Sequence, residues 1–551
     1  MMKILDFCKQ YWSLTEACSA FGGAYVLTVS ADAAAYTAFC RALGTAGFAL
    51  DTEREEYGNR FAVYVGEDET LFVSFFAFGE KLRMVVEPGS KGLSPRAAGA
   101  AAPAVTTPLI TQVRLAYCKA DCGMSYVIRL SDGRFVMIDG GYDEYEEADR
   151  LYDTLAAQNV LERPVIAACF ITHPHEDHYR CFMKFCRKYG DRVILERLHY
   201  NWPLAGRCKY PCDTSAFDAL VEALGVEVIV PHTGQRFCYG DAIFDVLFAC
   251  EDLYPDEIRN TNDSSLVLRM ELENKRVLWL GDAEFAACEE VCRSFPAGAL
   301  KCDILQVGHH GYDGGSPELY RRSDPDALLW PCPDFWYHPV RLWDSNRFLR
   351  TSPHIRHIFV EGNGTDVLDM SLADPAAAAD RRPAPPTPLY DEDFTHTGRV
   401  VDLGWSCVTG GATGYAPPEI HLSQGCCELS QEEGRAVCEL LRPGLLQDAP
   451  SYTLTLQAGI ETSDGGRAGL ICNDASPTVW NEDAVLWLPS SEQMLNFELT
   501  LDAEKKLGLL KCNSATVFEW EYIPAERRGL YLVLEHACVR LKRIRIDQKE
   551  D

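Results

Sequence analysis

Directly after an apolar run, Val165–Ile171, the chain reads Thr172-His173-Pro174-His175-Glu176-Asp177-His178. Three imidazoles and a carboxylate within six positions stand out in a chain with 13 histidines. Imidazole nitrogen and carboxylate oxygen suit a borderline divalent cation: Zn²⁺ first, with Mn²⁺ and Fe²⁺ also fitting. A loop leaving a strand end can aim His173 and His175 at one ion and Asp177 and His178 at a second. The bland alternative is a solvated loop with helix-capping residues.

Two further segments complete a constellation. Val277–Leu280 is an apolar run ending in Gly281-Asp282-Ala283-Glu284, and Asp303–Val307 ends in Gly308-His309-His310-Gly311. Alone, the first is an ordinary turn and the second a hydrogen-bonded histidine pair. Beside the His-rich loop, they make a dinuclear site with a bridging Asp282 the expected arrangement.

His173-x-His175-x-Asp177-His178, Gly281-Asp282 and His309 together resemble the metallo-β-lactamase-fold hydrolases, and most nearly the hydrolase domain of the ComEC-type DNA-uptake (competence) proteins. Ile138-Asp139-Gly140-Gly141, Asn262-Asp263-Ser264-Ser265-Leu266-Val267-Leu268 and Tyr337-His338-Pro339 add to the likeness, which covers about residues 110–370. The resemblance implies an αββα sandwich with metals at one edge. It assigns His173 and His175 to a first metal, Asp177, His178 and His309 to a second, and Asp282 to both. The slot where many members carry another histidine falls near Asn262-Asp263, leaving the first site short of a protein ligand. His199 and His232 are the nearby imidazoles, and both read as structural.

Two divalent ions about 3.5–4 Å apart would generate a hydroxide and polarise a phosphoryl or carbonyl oxygen. Asp177 would orient the nucleophile, and His310 or His338 would serve the leaving group. Asp139 reads as a residue that fixes the tautomer of a ligand histidine, or as a strand-end turn. Gly311, Gly314, Gly315 and Ser316 could offer amides to a phosphate, though an ordinary turn is the simpler reading.

Around this centre the 551-residue chain is too long for one ordinary domain. Its 47% hydrophobic content supplies large cores and excludes whole-chain disorder. A net charge of −29 excludes an architectural nucleic-acid binder or a basic membrane-surface protein. The same acidity favours a small or short phosphodiester over long nucleic acid. No signal peptide or membrane-length apolar run is read, so the 23 cysteines are expected to be reduced in a cytoplasmic protein.

Two linker-like stretches divide the chain. Residues 1–88 read as a small α+β domain, with a helix from Ala31 capped by Ser30. Residues 89–108 form a linker, 109–375 the hydrolase domain and 376–390 a Pro-rich linker. Residues 391–551, with short alternating strands such as Tyr452–Ala458, Ala468–Cys472 and Val539–Ile546, read as a jelly-roll-like antiparallel β-sandwich. The overall class is therefore α/β. The leading functional expectation is a two-metal phosphodiester hydrolase. The alternatives are hydrolysis of a carboxylic ester, lactone or thioester, and glycan or protein binding by the C-terminal domain through Trp480, Trp487 or Trp520.

Overall fold

The computed structural model describes residues 3–89, 105–115, 123–142, 145–333, 337, 340–376, 388–395, 398–408, 416–423, 425–440, 446, 449–472, 484–524 and 529–549. Most of both linker-like stretches, Trp480 and His338 lie outside them.

The middle of the chain builds two sheets packed face to face. One has eight strands, the other seven. In the first, Phe135–Gly140, Val165–Phe170, Arg197–His199 and Glu227–Ile229 run parallel. In the second, Lys275–Trp279, Ile304–Gln306, Ala327–Trp330 and His357–Val360 do. Apolar residues of the facing sides, among them Ile110, Tyr126, Phe170, Phe244 and Trp279, form the core between the sheets. Helices Glu147–Gln158, Glu176–Tyr189 and Ser215–Leu224 cover the outer face of the first sheet. Phe285–Ser294, Ala297–Leu300 and Pro317–Ser323 cover that of the second. This is the αββα arrangement expected from the sequence. Its parallel strands deliver Asp139, the 172–178 loop, Asp282 and the 308–311 turn from their carboxyl ends, where open α/β sheets place their sites.

The N-terminal module is a six-stranded sheet carrying helices Ile4–Tyr11 and Ala33–Thr45. The second helix is capped by Asp32, whose carboxylate accepts from the Ala35 amide at 2.7 Å, and not by Ser30. The strand Ala49–Glu56 has no apolar alternation to announce it: its residues are exposed or half-exposed because it closes one edge of the sheet. The module docks on the hydrolase region through buried charge. Arg83 pairs with Asp252, both 2% exposed. His232 sits between Glu251 (2.8 Å) and Glu87 (3.0 Å). Burial alone would push the His232 pKa down, but the two carboxylates overcome it and raise it to about 10.

Among the described residues, the C-terminal region pairs antiparallel and forms one ten-stranded sheet. Three strands are far longer than the sequence suggests: Cys426–Glu439, Tyr452–Cys472 and Leu530–Gln548. Turn-like residues such as Ser463 and Gly465 do not end a strand. They mark register shifts, Gln431/Arg435 and Thr462/Arg467, which bring irregularities of two strands side by side against Leu530–Gln548. Glu535 joins them there, accepting from Arg435 (3.0 Å) and Arg467 (2.8 Å). Trp487 lies under the Arg467 guanidinium at 4.0 Å and Trp520 packs against the domain core. The core of this region also takes in Tyr142, and Tyr145 donates to the Pro418 carbonyl at 2.7 Å.

No disulfide joins cysteines among the described residues. None of the described helices is long and apolar enough to cross a membrane.

Candidate metal centre

The site begins with a bulge. Opposite the step Ser125/Tyr126, the strand Phe135–Gly140 carries an extra residue, Asp139, with φ +55°. The bulge turns its carboxylate inward, a common use of such irregularities. Asp139 accepts from the Thr172 amide (2.7 Å), the Thr172 hydroxyl (2.8 Å) and His178 Nδ1 (2.7 Å). The next residue must be glycine because a Cβ at Gly140 would lie 2.5 Å from Phe182 Cβ on the helix Glu176–Tyr189. That close approach sets the helix start, and with it Asp177 and His178, over the strand end.

Asp139 thereby fixes the ring of His178. With the Nδ1 proton given to the carboxylate, the Nε2 lone pair faces Asp282 Oδ2 (3.1 Å) and Asp177 Oδ2 (3.5 Å). Asp282 is placed by Ser265, whose hydroxyl accepts its amide at 3.0 Å, and by Gln306, which accepts from Leu280 and Gly281, both at 2.8 Å.

His310 arrives from the turn Gly308–Gly311. Both His309 and His310 adopt left-handed backbone, φ +45° and +54°, a strained state for non-glycine residues. The turn sends the two rings opposite ways. His310 is fully buried, its Nδ1 donating to the Pro331 carbonyl at 2.7 Å. Its Nε2 then points at Asp177 Oδ2 (3.2 Å) and Asp282 Oδ2 (3.3 Å). His309 faces outward. Its Nδ1 donates to Glu284 at 2.9 Å, and the Asn262 amide donates to its Nε2 at 3.1 Å.

Ligand atoms of Asp177, His178, Asp282 and His310 consequently lie within 4.8 Å of one another. His173 adjoins them, its Nε2 3.8 Å from Asp282 Oδ2, and His175 packs on His173 with ring centroids 4.6 Å apart. Three buried polar atoms here have no hydrogen-bond partner: His173 Nε2, His178 Nε2 and Asp282 Oδ1. Leaving such atoms unpaired is costly, and a cation satisfies both imidazole nitrogen and carboxylate oxygen.

The electrostatics agree. Burial pushes the Asp282 carboxyl up, but His178 and His310 outweigh it and hold it well below the usual carboxylate range. Burial opposes a charged His310, yet Asp282 and Asp177 raise its pKa to about 10. His173 goes the other way: burial, then His178 and His175, lower it well below its ordinary value. The carboxylates thus demand positive charge in a dry pocket, and a divalent ion supplies it while displacing protons. The residues present fit a metal.

A sequence model of the metallo-beta-lactamase superfamily matches residues 122–329. That stretch is a metallo-beta-lactamase superfamily domain. ComE operon protein 3 of Bacillus subtilis (strain 168) is 31% identical over 156 residues, which are 28% of this chain and 18% of that protein. The chain thus spans under a fifth of that relative's length. Among solved structures, a CmlA beta-hydroxylase mutant aligns with 48% of this chain and 54% of its own, at 15% identity and a TM-score of 0.31. A Bacillus subtilis protein of unknown function with a galectin-like fold aligns with 30% of this chain and 97% of its own, at 11% identity and a TM-score of 0.22. At those TM-scores neither likeness bears on function.

Within the metallo-beta-lactamase domain, the structure corrects one placement. His310, not His309, joins Asp177, His178 and Asp282. The reason is the left-handed pair of residues, which exchanges the inward and outward directions of an ordinary turn. It also rules against His310 as the group serving a leaving oxygen, because Nδ1 is held by the Pro331 carbonyl and Nε2 by the carboxylates of Asp177 and Asp282. Part of the glycine loop serves the fold. Gly315 donates its amide to Ala283 at 2.8 Å, and Ser316 caps the helix Pro317–Ser323. His199, stacked on Phe170 and bonded to Tyr239, and His232 lie in the hydrogen-bonded settings described, consistent with structural roles.

Glu284, Asn260 and Thr172 complete the surroundings but were not singled out by the sequence. All three adjoin or lie within the motif segments, and that proximity was the available signal. Asp139→Asn should leave the fold intact and lower metal affinity about 10- to 100-fold, because the amide no longer enforces the Nδ1–H tautomer of His178. Competition with a chromogenic chelator measures this directly. Affinity equal to the parent's would show that Asp139 serves the turn alone.

Proposed function

We propose that this protein is a two-metal hydrolase of phosphodiesters, with Zn²⁺ as the resident ion at both positions. The observation that carries the metal chemistry is the cluster of Asp177, His178, Asp282 and His310 with unsatisfied buried ligand atoms. The phosphodiester assignment rests on the resemblance of the motifs to the ComEC-type domain. In this reading Asp177, His178 and His310 hold one ion, His173 and His175 another, and Asp282 spans both.

Bound divalent ions supply Lewis acidity and bring the pKa of water toward neutrality. The chain does the rest. Asp139 and the Pro331 carbonyl hold His178 and His310 in the tautomers that present Nε2. Asp177 orients the attacking group. His309, 18% exposed beside the 19% exposed Glu284, lies on the outer side of the cluster. Burial lowers its pKa, but the hydrogen bond to Glu284 and the charge of Asp282 leave it raised.

The metal-loaded protein is expected to turn over bis(p-nitrophenyl) phosphate, to lose that activity to a chelator, and to regain it with Zn²⁺ or Mn²⁺. Turnover of a lactone or thioester with none of the diester would replace the phosphodiester reading by an acyl one.

A further inference from the structure

We propose that Trp343, backed by Tyr312, is a stacking platform for a nucleobase of the substrate, an inference that rests on the phosphodiester reading above. Among the described residues Trp343 is the one tryptophan more than a third exposed, at 37%, and Leu342 beside it is 57% exposed. An indole left in water normally has a partner to meet.

Its position is tied to the reaction centre. His309 is 18% exposed, whereas His173, His178 and His310 are buried. The ring of Tyr312 lies 5.6 Å from that of His309, and the Trp343 indole meets Tyr312 edge-on at 5.7 Å. The segment is anchored to the histidine turn itself. Fully buried Asn346 donates to the Gly311 and Val340 carbonyls at 2.6 and 2.9 Å. Ser345 reaches Asp313 at 3.4 Å. The platform therefore cannot drift from His309 and His310 without breaking buried hydrogen bonds.

Charge points to the same class of ligand. The groups near His309 are mostly acidic or neutral: exposed Glu176, which Arg180 pairs at 3.5 Å, half-buried Glu284, and Asn260 and Asn262, whose amides donate to Glu284. A long polyanion would want a row of cations there. A short diester gripped at its phosphate by metal needs its remaining affinity from an uncharged group, and a base has a π-face that an indole binds without regard to sequence.

The test uses the full-length, zinc-loaded protein and a dithymidine in which both bridging phosphate oxygens are replaced by methylene, so that no P–O ester bond remains to be cleaved. By calorimetry, Trp343→Leu, which keeps apolar bulk, should weaken binding at least about tenfold, whereas Trp343→Phe should stay within about threefold of the parent. The ratio of kcat/KM for a dinucleotide over glycerophosphoethanolamine, a diester without a ring, should fall by a similar factor in Trp343→Leu. Equal binding by the leucine and phenylalanine variants, or by the leucine variant and the parent, overturns the stacking inference. If the parent hydrolyses no phosphodiester at all, the proposed function falls and this inference falls with it. If the parent hydrolyses bis(p-nitrophenyl) phosphate but Trp343→Leu binds the dithymidine analogue as tightly as the parent does, the platform alone falls.

Discussion

Replacing Asp282 with asparagine is expected to abolish metal binding and turnover together while the protein stays folded. The carboxylate is 1% exposed and its Oδ2 lies 3.1 Å from His178 Nε2, 3.3 Å from His310 Nε2 and 3.8 Å from His173 Nε2. Asp177 touches two of these imidazoles, His178 and His310, whereas Asp282 touches all three. Asparagine has the same shape and keeps the amide bond to Ser265, but brings no charge into a pocket whose imidazoles need a counter-ion. Metal-assisted chemistry contributes several kcal/mol, so the loss in kcat/KM is expected to be about a thousandfold or more. Elemental analysis and circular dichroism on the same sample separate loss of metal from loss of fold. A variant that kept its metal and a tenth of its activity would remove Asp282 from the centre of the site.

The second large effect is on stability. Asp252→Ala leaves the Arg83 guanidinium, 2% exposed, without its carboxylate partner. It also frees the Thr233 hydroxyl, which donates to Asp252 at 2.6 Å. Glu290, 3.8 Å away, is the remaining acid within reach. Breaking one side of a buried ion pair costs about 3–5 kcal/mol, because an uncompensated charge stays in a dry interface. Urea unfolding should show that loss as an earlier midpoint. The double replacement Arg83→Met with Asp252→Leu should recover most of it, because removing both charges ends the desolvation penalty. Equal midpoints for the parent and Asp252→Ala would mean that water reaches Arg83.

How much of this was readable in the sequence depended on where the deciding information sat. The 172–178 loop was legible because its ligands are neighbours in sequence and follow an apolar strand. Asp282 was legible from the strand before it. The roles of His309 and His310 were not, because they turn on two left-handed residues that no composition or period announces. The Pro331 carbonyl left no trace at all, being a backbone atom on a separate strand end. The lengths of the C-terminal strands were misread for a related reason: serine and glycine signal turns, and here they mark bulges inside strands held by pairing on either side. The edge strand Ala49–Glu56 hid behind its polar residues because pairing, not burial, keeps it in place.

Tyr142 follows the glycine pair that meets the helix Glu176–Tyr189, accepts from Arg180 at 2.6 Å, and is nonetheless part of the C-terminal core. The far end of the chain is therefore packed against the segment that leads into the metal cluster. An engineer wanting a minimal catalyst cannot simply cut after the hydrolase sheets. The shortened protein would present Tyr142 and Tyr145 as a fresh greasy surface, a few residues from the loop that must stay still, and would need both recoloured with polar side chains before it behaved.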